Sequence, residues 1–168
     1  KADGVKTGHT SEGGYGMVGT SVAPDGTRFI VVVNGLETAG QRAREAYTLL
    51  KWAEHTYTTP KIFKKGDRVI DANIWLGTEP HVPLVIGEDL LLTLRREEIK
   101  DIKVTFKYKE PLNAKFIKAG DSVGRVEIQH PTGEIISAPL IVSKNIEQAN
   151  FFTRVYSALH YIIFGHNA

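Results

Sequence analysis

The chain has 168 residues, of which 42% are hydrophobic and 24% are charged, so it can bury one fair core or two small ones. Its 21 basic and 19 acidic residues nearly cancel, and no Lys/Arg block alternates with aromatic residues, which argues against nucleic acid as a partner. The absence of cysteine excludes disulfides and thiolate metal sites.

The sequence pattern of residues 1–57 predicts antiparallel strands followed by one helix. A first strand covers the β-branched stretch 5–10, and two further strand-like runs, 17–22 and 28–33, are joined by the turn signal Pro24-Asp25-Gly26. A helix is expected from about Thr38, its N-cap, to Tyr57, because apolar residues recur there at helical spacing.

The third strand needs cover on both faces. Residues 29–33 are apolar at every position, and the predicted helix can cover only one face of a three-stranded sheet. We therefore expect residues 1–57 to be the last part of a larger unit.

Residues 58–144 predict a small all-β sandwich. After Thr58-Thr59-Pro60, short apolar runs are separated by Gly, Pro and Asp. The runs are 62–63, 68–76, 82–86, 90–94, 102–108, 123–129 and 134–142. A bulge is expected near the start of the run 123–129, where the alternation slips by one residue.

Residues 145–168 predict an amphipathic helix, best formed over 145–164. One stripe is apolar, which suits a membrane interface or, alternatively, docking on the β domain. The stripe consists of Phe152, Val155, Tyr156, Leu159, Ile162 and Ile163. Few cations flank it, so its own attraction to anionic lipid is expected to be small. The segment is too short and too polar to span a bilayer.

The chemistry of the chain is concentrated in Lys6-Thr7-Gly8-His9-Thr10. Lys6 supplies a cation and Thr7 a hydroxyl for a substrate carboxylate, and a backbone N–H after Gly8 could face a developing oxyanion. Gly8 lets a ligand backbone approach closely, or else marks a simple β-bulge.

Lys-Thr-Gly is one of three motifs of the penicillin-recognising serine enzymes. With Gly14-Tyr15, the hairpin, Arg42 ten residues before Trp52, and the terminal Asn150-Phe151-Phe152, the chain resembles the low-molecular-mass D-alanyl-D-alanine carboxypeptidases over essentially its whole length. The resemblance implies an α+β fold: the last part of a transpeptidase-like α/β domain in 1–57, an all-β domain in 58–144, and a membrane-anchoring helix in 145–168.

The resemblance also implies the activity and the roles of residues. A serine would attack the terminal D-Ala-D-Ala bond of peptidoglycan pentapeptide, and β-lactams would bind at the same place. Lys6 and His9 would be catalytic, with His9 contributing its main-chain N–H to the oxyanion hole. Lys6, Thr7, Gly8, His9 and Arg42 would contact substrate.

Two arginines compete for the substrate carboxylate. Counting back from Trp52 without a gap selects Arg42, whereas Arg44 requires a two-residue gap that would rotate the helix face. We prefer Arg42. For either residue the alternative is a solvated arginine on the helix surface.

No serine in this sequence has the spacing expected of the catalytic nucleophile. No serine has a lysine three positions on, and Ser143-Lys144-Asn145 follows the Lys-Thr-Gly strand instead of preceding it. The chain starts at Lys1 without an initiator Met or signal peptide, which indicates a mature product or a fragment. The missing N-terminal part is therefore an expected partner, and the chain alone is expected to be inactive.

The remaining expectations concern cofactors, location and alternatives. No histidine spacing or phosphate loop indicates a metal or a cofactor, so neither is expected. The resemblance implies a periplasmic protein, peripheral on the outer face of the cytoplasmic membrane. An unpaired sheet edge predicts possible homo-oligomers.

Two alternative functions stay open. The first is a non-catalytic cell-envelope module that binds through the β domain. The second is a class A β-lactamase fragment, against which the β domain and terminal helix argue.

Overall fold

The computed structural model describes residues 2–150, apart from the side chains of Ala2, Asp3 and Val5. The secondary structure of these residues is mostly β with one long α-helix, so the β-rich part of the expected α+β fold is present, while the transpeptidase-like remnant and the terminal helix stay predictions. The elements in chain order are β1 (Ala2–Thr10), β2 (Gly14–Val22), β3 (Arg28–Leu36), α1 (Ala39–Thr56), β4 (Tyr57–Thr58), β5 (Lys61–Phe63), β6 (Arg68–Trp75), β7 (His81–Ile86), β8 (Leu90–Leu91), β9 (Leu94–Arg95), a 3₁₀ helix (Arg96–Asp101), β10 (Lys103–Tyr108), β11 (Leu112–Asn113), β12 (Ser122–Gln129) and β13 (Ile135–Val142).

The chain folds into two compact units. Unit 1 contains residues 1–60 and 92–101, and unit 2 contains residues 61–91 and 102–168. The second unit is therefore interrupted by a short segment that returns to the first. The domain limits expected from sequence, at 57 and 144, stay predictions.

Unit 1 is built on an antiparallel sheet in the order β1-β2-β3. The helix α1 covers one face of this sheet, where Ala46 and Leu50 bury against Val31. The opposite face is left largely exposed: Ile30 is 67% and Val32 is 69% accessible to solvent. No layer of described residues covers this face of the sheet, although β-branched apolar side chains are usually buried.

The helix begins at its predicted cap. Thr38 is extended, and its hydroxyl accepts a hydrogen bond from the backbone N–H of Gln41 at 3.0 Å. The Gln41 side chain reaches back to the backbone N–H of Glu37 at 3.1 Å. One donor that the helix start cannot satisfy is thereby paired and the residue before the cap is tied to the first turn, which locates the start of α1.

The tip of the β2–β3 hairpin is fastened to two distant parts of unit 1. The Asp25 carboxylate accepts hydrogen bonds from the backbone N–H of Thr27 at 2.9 Å, the Thr58 hydroxyl at 2.8 Å and the Arg96 guanidinium at 3.2 Å. These bonds, that from the Thr27 backbone first and that from the Thr58 hydroxyl second, lower the pKa of Asp25 from 3.8 to about 2.

Unit 2 is organised around a six-stranded sheet in the order β10-β12-β13-β7-β6-β11. Its pairs are antiparallel, except that β11 runs parallel to β6. Alternate residues of β7, β12 and β13 are fully buried and form the core, with Leu84, Ile86, Val126, Ile128, Leu140 and Val142 as members. The bulge expected in the run 123–129 is confirmed by a register shift between Ser122 and Gly124.

The run 90–94 does not form one strand. Leu90–Leu91 pairs with Lys61–Phe63 in unit 2, whereas Leu94–Arg95 pairs with Tyr57–Thr58 in unit 1. The apolar pattern is the same in both halves, but their hydrogen-bond partners lie on different parts of the chain. The single-strand prediction was therefore wrong.

The helix predicted from Asn145 does not begin there. Residues 145–150 contain no helix, because their backbone bonds to the end of β6: Thr78 N–H donates to Glu147 O at 2.8 Å and Ala149 N–H to Leu76 O at 2.9 Å. Ile146 and Ala149 are buried by this arrangement. The rest of the predicted helix, 151–164, lies outside the described residues.

Candidate active-site strand

The Lys-Thr-Gly-His stretch lies in β1, an edge strand of the unit 1 sheet. The register pairs Lys6 with Val18, Thr7 with Met17, Gly8 with Gly16 and His9 with Tyr15. Side chains alternate between the two faces of a strand, and paired residues share a face. Since Met17 packs against the α1 cluster, Thr7 and His9 lie on the helix side of the sheet and Lys6 lies on the other.

The face of Lys6 carries a cavity of about 410 Å³. Its walls include Lys6, Gly8, Val18, Val32 and Asn34. Lys6 is exposed, and its ammonium donates to the carbonyl oxygen of Thr7 at 3.1 Å. A cation at the rim of an otherwise apolar surface can hold an anionic or hydroxyl group of an incoming segment or ligand.

Gly8 and Gly16 form a bare notch across two strands, but only one of them is required by the chain itself. A Cβ added to Gly16 would lie 2.6 Å from Oδ1 of Asn34, whereas a Cβ added to Gly8 meets nothing within 4 Å. Pairing continues without a shift through Gly8, so the alternative of a β-bulge there was wrong. Nothing within the described residues requires glycine at position 8, which leaves its exposed face free for a ligand.

On the helix side, Tyr15 lies between two of the expected site residues. Its ring centroid is 4.0 Å from that of His9, and the Arg42 guanidinium carbon lies 5.6 Å from the Tyr15 centroid. This arrangement combines a ring stack with a cation–π contact. The Tyr15 ring therefore contacts both the His9 ring and the Arg42 guanidinium.

Arg42 reaches the active-site strand itself. Its Nη1 donates to the carbonyl oxygen of Gly8 at 3.3 Å, and its Nε is buried without a partner among the described residues. Arg44, two residues on along α1, is exposed. The structure thus brings Arg42 together with Thr7, Gly8 and His9, and leaves Arg44 on the outer helix surface.

Tyr15 was not among the residues assigned a role from sequence. The signal was present in the turn: Thr10 Oγ1 accepts from the backbone N–H of Gly13 at 2.8 Å, and the tight turn pairs Thr10 with Gly14. Counting outward from that pair places Tyr15 opposite His9. The contact with Arg42, in contrast, depends on how α1 packs on the sheet.

The described residues contain neither a metal-binding cluster nor a membrane-spanning helix. Within residues 2–150, no group of three or more His, Cys, Asp or Glu side chains is arranged to hold a metal ion. None of the helices in that range is long and apolar enough to cross a membrane.

The chain is similar in sequence to proteins named D-alanyl-D-alanine carboxypeptidase. D-alanyl-D-alanine carboxypeptidase DacC of Escherichia coli (strain K12) is 33% identical over 154 residues, which cover 92% of this chain and 38% of that protein. DacD of the same strain is 30% identical over 160 residues, covering 95% of this chain and 41% of that protein. The chain therefore spans 38 to 41% of the length of these two relatives.

A solved structure with the same fold supports the match. Penicillin-binding protein 5 from Haemophilus influenzae superposes with a TM-score of 0.66 at 28% identity, covering 88% of this chain and 43% of that one. Residues 57–148, more than half of the chain, match a family profile. The resemblance noted in the sequence is confirmed, and the chain belongs to the family described as penicillin-binding protein 5, C-terminal domain.

Proposed function

We propose that this chain is part of a serine-type D-Ala-D-Ala carboxypeptidase that removes the terminal D-alanine from peptidoglycan pentapeptide through an acyl-enzyme and binds β-lactams at the same site. The relatives named D-alanyl-D-alanine carboxypeptidase support the reaction class. The observation that carries the proposal is the contact of Arg42 with Gly8, which joins a cation to the Lys-Thr-Gly strand. The chain would supply one wall of the site.

The substrate would pair with the free edge of β1. An extended peptide can add to an exposed sheet edge through main-chain hydrogen bonds. The open space beside Gly8 supports such an approach, since the absence of a side chain leaves the Lys6 face of the strand clear for substrate groups next to the paired edge.

The terminal carboxylate of the substrate would bind on the helix side of this edge. There Thr7 offers a hydroxyl and Arg42 a planar guanidinium, which suits a carboxylate. Arg42 Nη1 already reaches the carbonyl oxygen of Gly8 at 3.3 Å, so the guanidinium lies at this part of the strand. The main-chain N–H of His9 would contribute to the oxyanion hole.

Lys6 would act on the opposite face. It borders the cavity that Val18 and Val32 line, and these apolar side chains are exposed. We place the missing nucleophile-bearing part of the protein over this face, so that its serine hydroxyl meets the Lys6 ammonium. Burying Val18, Ile30 and Val32 would at the same time complete the sheet.

The chain alone should be inert, and intact-mass measurement after incubation with benzylpenicillin tests this. Because no serine is followed by a lysine three residues on, no covalent adduct is expected. An adduct would show that the nucleophile has been misplaced.

A chimera tests the site itself. The part of DacC that precedes the matched region would be joined to this chain, and release of D-alanine from pentapeptide would be followed. Arg42→Ala is expected to lower kcat/KM by about 100-fold or more, because it removes a charge-assisted contact, while Arg44→Ala serves as the matched control. Equal effects of the two substitutions would contradict the proposed role of Arg42.

The reaction class of the relatives, whose substrate belongs to the bacterial envelope, supports a periplasmic location, and we propose that the protein is peripheral on the outer face of the cytoplasmic membrane through the segment that follows residue 150. The free edge of β1 would also allow two copies to pair. Solution scattering that gives a monomer at all concentrations would contradict the homo-oligomer.

A second candidate is a non-catalytic envelope module that binds through the β domain. It is favoured by the family match, which lies in residues 57–148 and not in β1. Binding of the chain to isolated peptidoglycan separates the two functions. A module should keep its binding in the Lys6→Ala/Arg42→Ala double variant, whereas the active-site wall should lose it.

A further inference from the structure

Unit 2 exposes one aromatic side chain that the proposed function does not use. Phe116 is 73% accessible to solvent, the highest value for a large hydrophobic residue among those described. It lies in residues 115–118, Lys-Phe-Ile-Lys, which we name the 115–118 loop.

The exposure of Phe116 does not come from a loose loop. The backbone N–H groups of Lys115 and Phe116 donate to the side chain and the carbonyl of Asn113 at 2.9 and 3.0 Å. Ile117, the next residue, is buried to 8% exposure. The backbone is thus held in a defined turn that points Ile117 inward and Phe116 outward.

Two exposed lysines, Lys115 and Lys118, lie next to Phe116 in the sequence. Lys115 Nζ lies 5.4 Å from the Phe116 ring centroid, and neither Lys115 nor Lys118 forms an ion pair within residues 2–150. The nearby Asp121 carboxylate already accepts the backbone N–H of Lys118 at 2.7 Å. An exposed ring with one lysine over it and a second exposed lysine two residues on suits a membrane-interface contact, because lysines can bury their stems and keep their charges among the headgroups.

Other charges at this end of the unit partly offset one another. Lys144 is paired with Glu79 at 2.5 Å. Glu147 is exposed and opposes attraction to an anionic surface. Lys115 and Lys118 form no ion pair within residues 2–150, so their charges are available to lipid.

The loop lies beside the segment that leads to residue 151. Ala114 N–H donates to Trp75 O at 3.1 Å and Ala149 N–H donates to Leu76 O at 2.9 Å, so the two segments bond to consecutive carbonyls of one strand end. Ala119 N–H also donates to Oδ1 of Asn145 at 2.9 Å. A surface that receives the apolar stripe expected in residues 152–163 would meet Phe116 as well.

We propose that the 115–118 loop is a lipid-contact site that inserts Phe116 into the headgroup region of a bilayer containing anionic phospholipid, with Lys115 and Lys118 on the phosphates. The site goes beyond the proposed carboxypeptidase activity and shares only its envelope location. It adds positive charge next to the segment 151–168, whose sequence contains a single Lys or Arg, Arg154.

A single nitroxide label tests the insertion directly, because the chain has no cysteine of its own. Phe116→Cys is labelled and mixed with vesicles of phosphatidylglycerol and phosphatidylethanolamine, and access to a water-soluble nickel complex is measured. Ile135→Cys is the matched control: Ile135 is 57% exposed and lies seven residues along β13 from Val142, which bonds to Gly120. In an extended strand this is about 23 Å away.

The label at position 116 is expected to lose nickel access when vesicles are added, and the label at 135 to keep it. The proposal is overturned if position 116 stays as accessible as 135 while the protein is bound, or if the chain does not bind these vesicles.

Vesicle affinity of the full chain provides a second measurement. Phe116→Ala should weaken binding on the order of tenfold, while Lys115→Gln and Lys118→Gln should each weaken it about fivefold and only with anionic lipid. Ile135→Ala should leave affinity unchanged. If the loop instead binds an acidic protein, its three variants will bind vesicles like the parent, which rejects the proposal. Lys6→Ala should not alter vesicle binding, so failure of the carboxypeptidase proposal would be seen separately.

Discussion

The guanidinium of Arg42 donates a hydrogen bond to the carbonyl oxygen of Gly8 at 3.3 Å, although 34 positions separate the two residues. The contact ties the first turns of α1 to the strand that carries the Lys-Thr-Gly motif. It sets the distance between the two groups that we propose to hold the substrate carboxylate.

Removing the Arg42 side chain should loosen β1. Arg42→Ala loses the hydrogen bond to Gly8 and the contact with the Tyr15 ring, and we expect the free energy of unfolding to fall by roughly 1 to 2 kcal/mol. Urea denaturation measures this change. Arg44→Ala, from an exposed position on the same helix, should change stability by less than about 0.5 kcal/mol. A larger loss from Arg44→Ala would show that the two positions have been assigned the wrong way round.

The two paired glycines should respond differently to alanine. Gly16→Ala brings a Cβ within 2.6 Å of Asn34 Oδ1, which must rotate away, and within 3.3 Å of the Val33 carbonyl oxygen, so it should destabilise by about 1 kcal/mol. Gly8→Ala meets open space and should stay within about 0.5 kcal/mol of the parent. Thermal unfolding of both variants measures this difference. In the DacC chimera, however, Gly8→Ala should reduce D-alanine release, and full activity there would reject close approach of substrate at Gly8.

The N-cap of α1 should contribute measurably to unit 1. Thr38→Ala removes the acceptor for the Gln41 N–H and should cost about 1 kcal/mol. Thr48→Ala, at an exposed position inside the same helix, should instead be neutral or stabilise slightly, since alanine has the higher helix propensity. Circular dichroism during denaturation follows both variants. A loss from Thr48→Ala as large as that from Thr38→Ala would contradict the capping role.

Asp25 should make the stability of the chain depend on acid. Its pKa in the folded state is lowered to about 2 by the Thr27 backbone N–H, the Thr58 hydroxyl and Arg96. A lowered folded pKa means that the stabilisation is present above the unfolded pKa of about 4 and is lost as pH falls through about 2. Because the carboxylate is partly exposed, we expect only about 1 kcal/mol after solvent screening.

The difference between the parent chain and Asp25→Asn isolates this effect. The parent should lose stability relative to Asp25→Asn between pH 4 and 2, and the gap between them should be constant above about pH 5. Unfolding free energies measured across this range provide the check. A gap that does not change with pH would mean that Asp25 contributes through packing and not through its charge.

Local signals in the sequence were sufficient for several elements. Pro24-Asp25-Gly26 forms the turn between β2 and β3, and Thr38 caps α1, because each depends on residues within four positions. The alternation within the run 123–129, including its bulge, was also readable, since one face of β12 is buried.

Other elements could not be read from local pattern. Leu90–Leu91 and Leu94–Arg95 are short strands whose partners lie 27 to 38 residues earlier, and residues 145–150 are not helical because they bond to the end of β6. In both places the backbone partner, and not the side-chain pattern, decides the conformation.

The sequence by itself determined the Lys-Thr-Gly motif and the family. It also determined that the Lys6–Gly8 stretch offers a cation, a hydroxyl and a bare backbone, because residue types and their spacing are fixed by covalent order. Only the tertiary structure decided that Arg42 bonds to Gly8, that Tyr15 supports both His9 and Arg42, and that Phe116 points outward beside the path to residue 151. Those relationships depend on how a helix packs on a sheet and on which carbonyls a returning segment meets, and these contacts form between residues far apart in the chain.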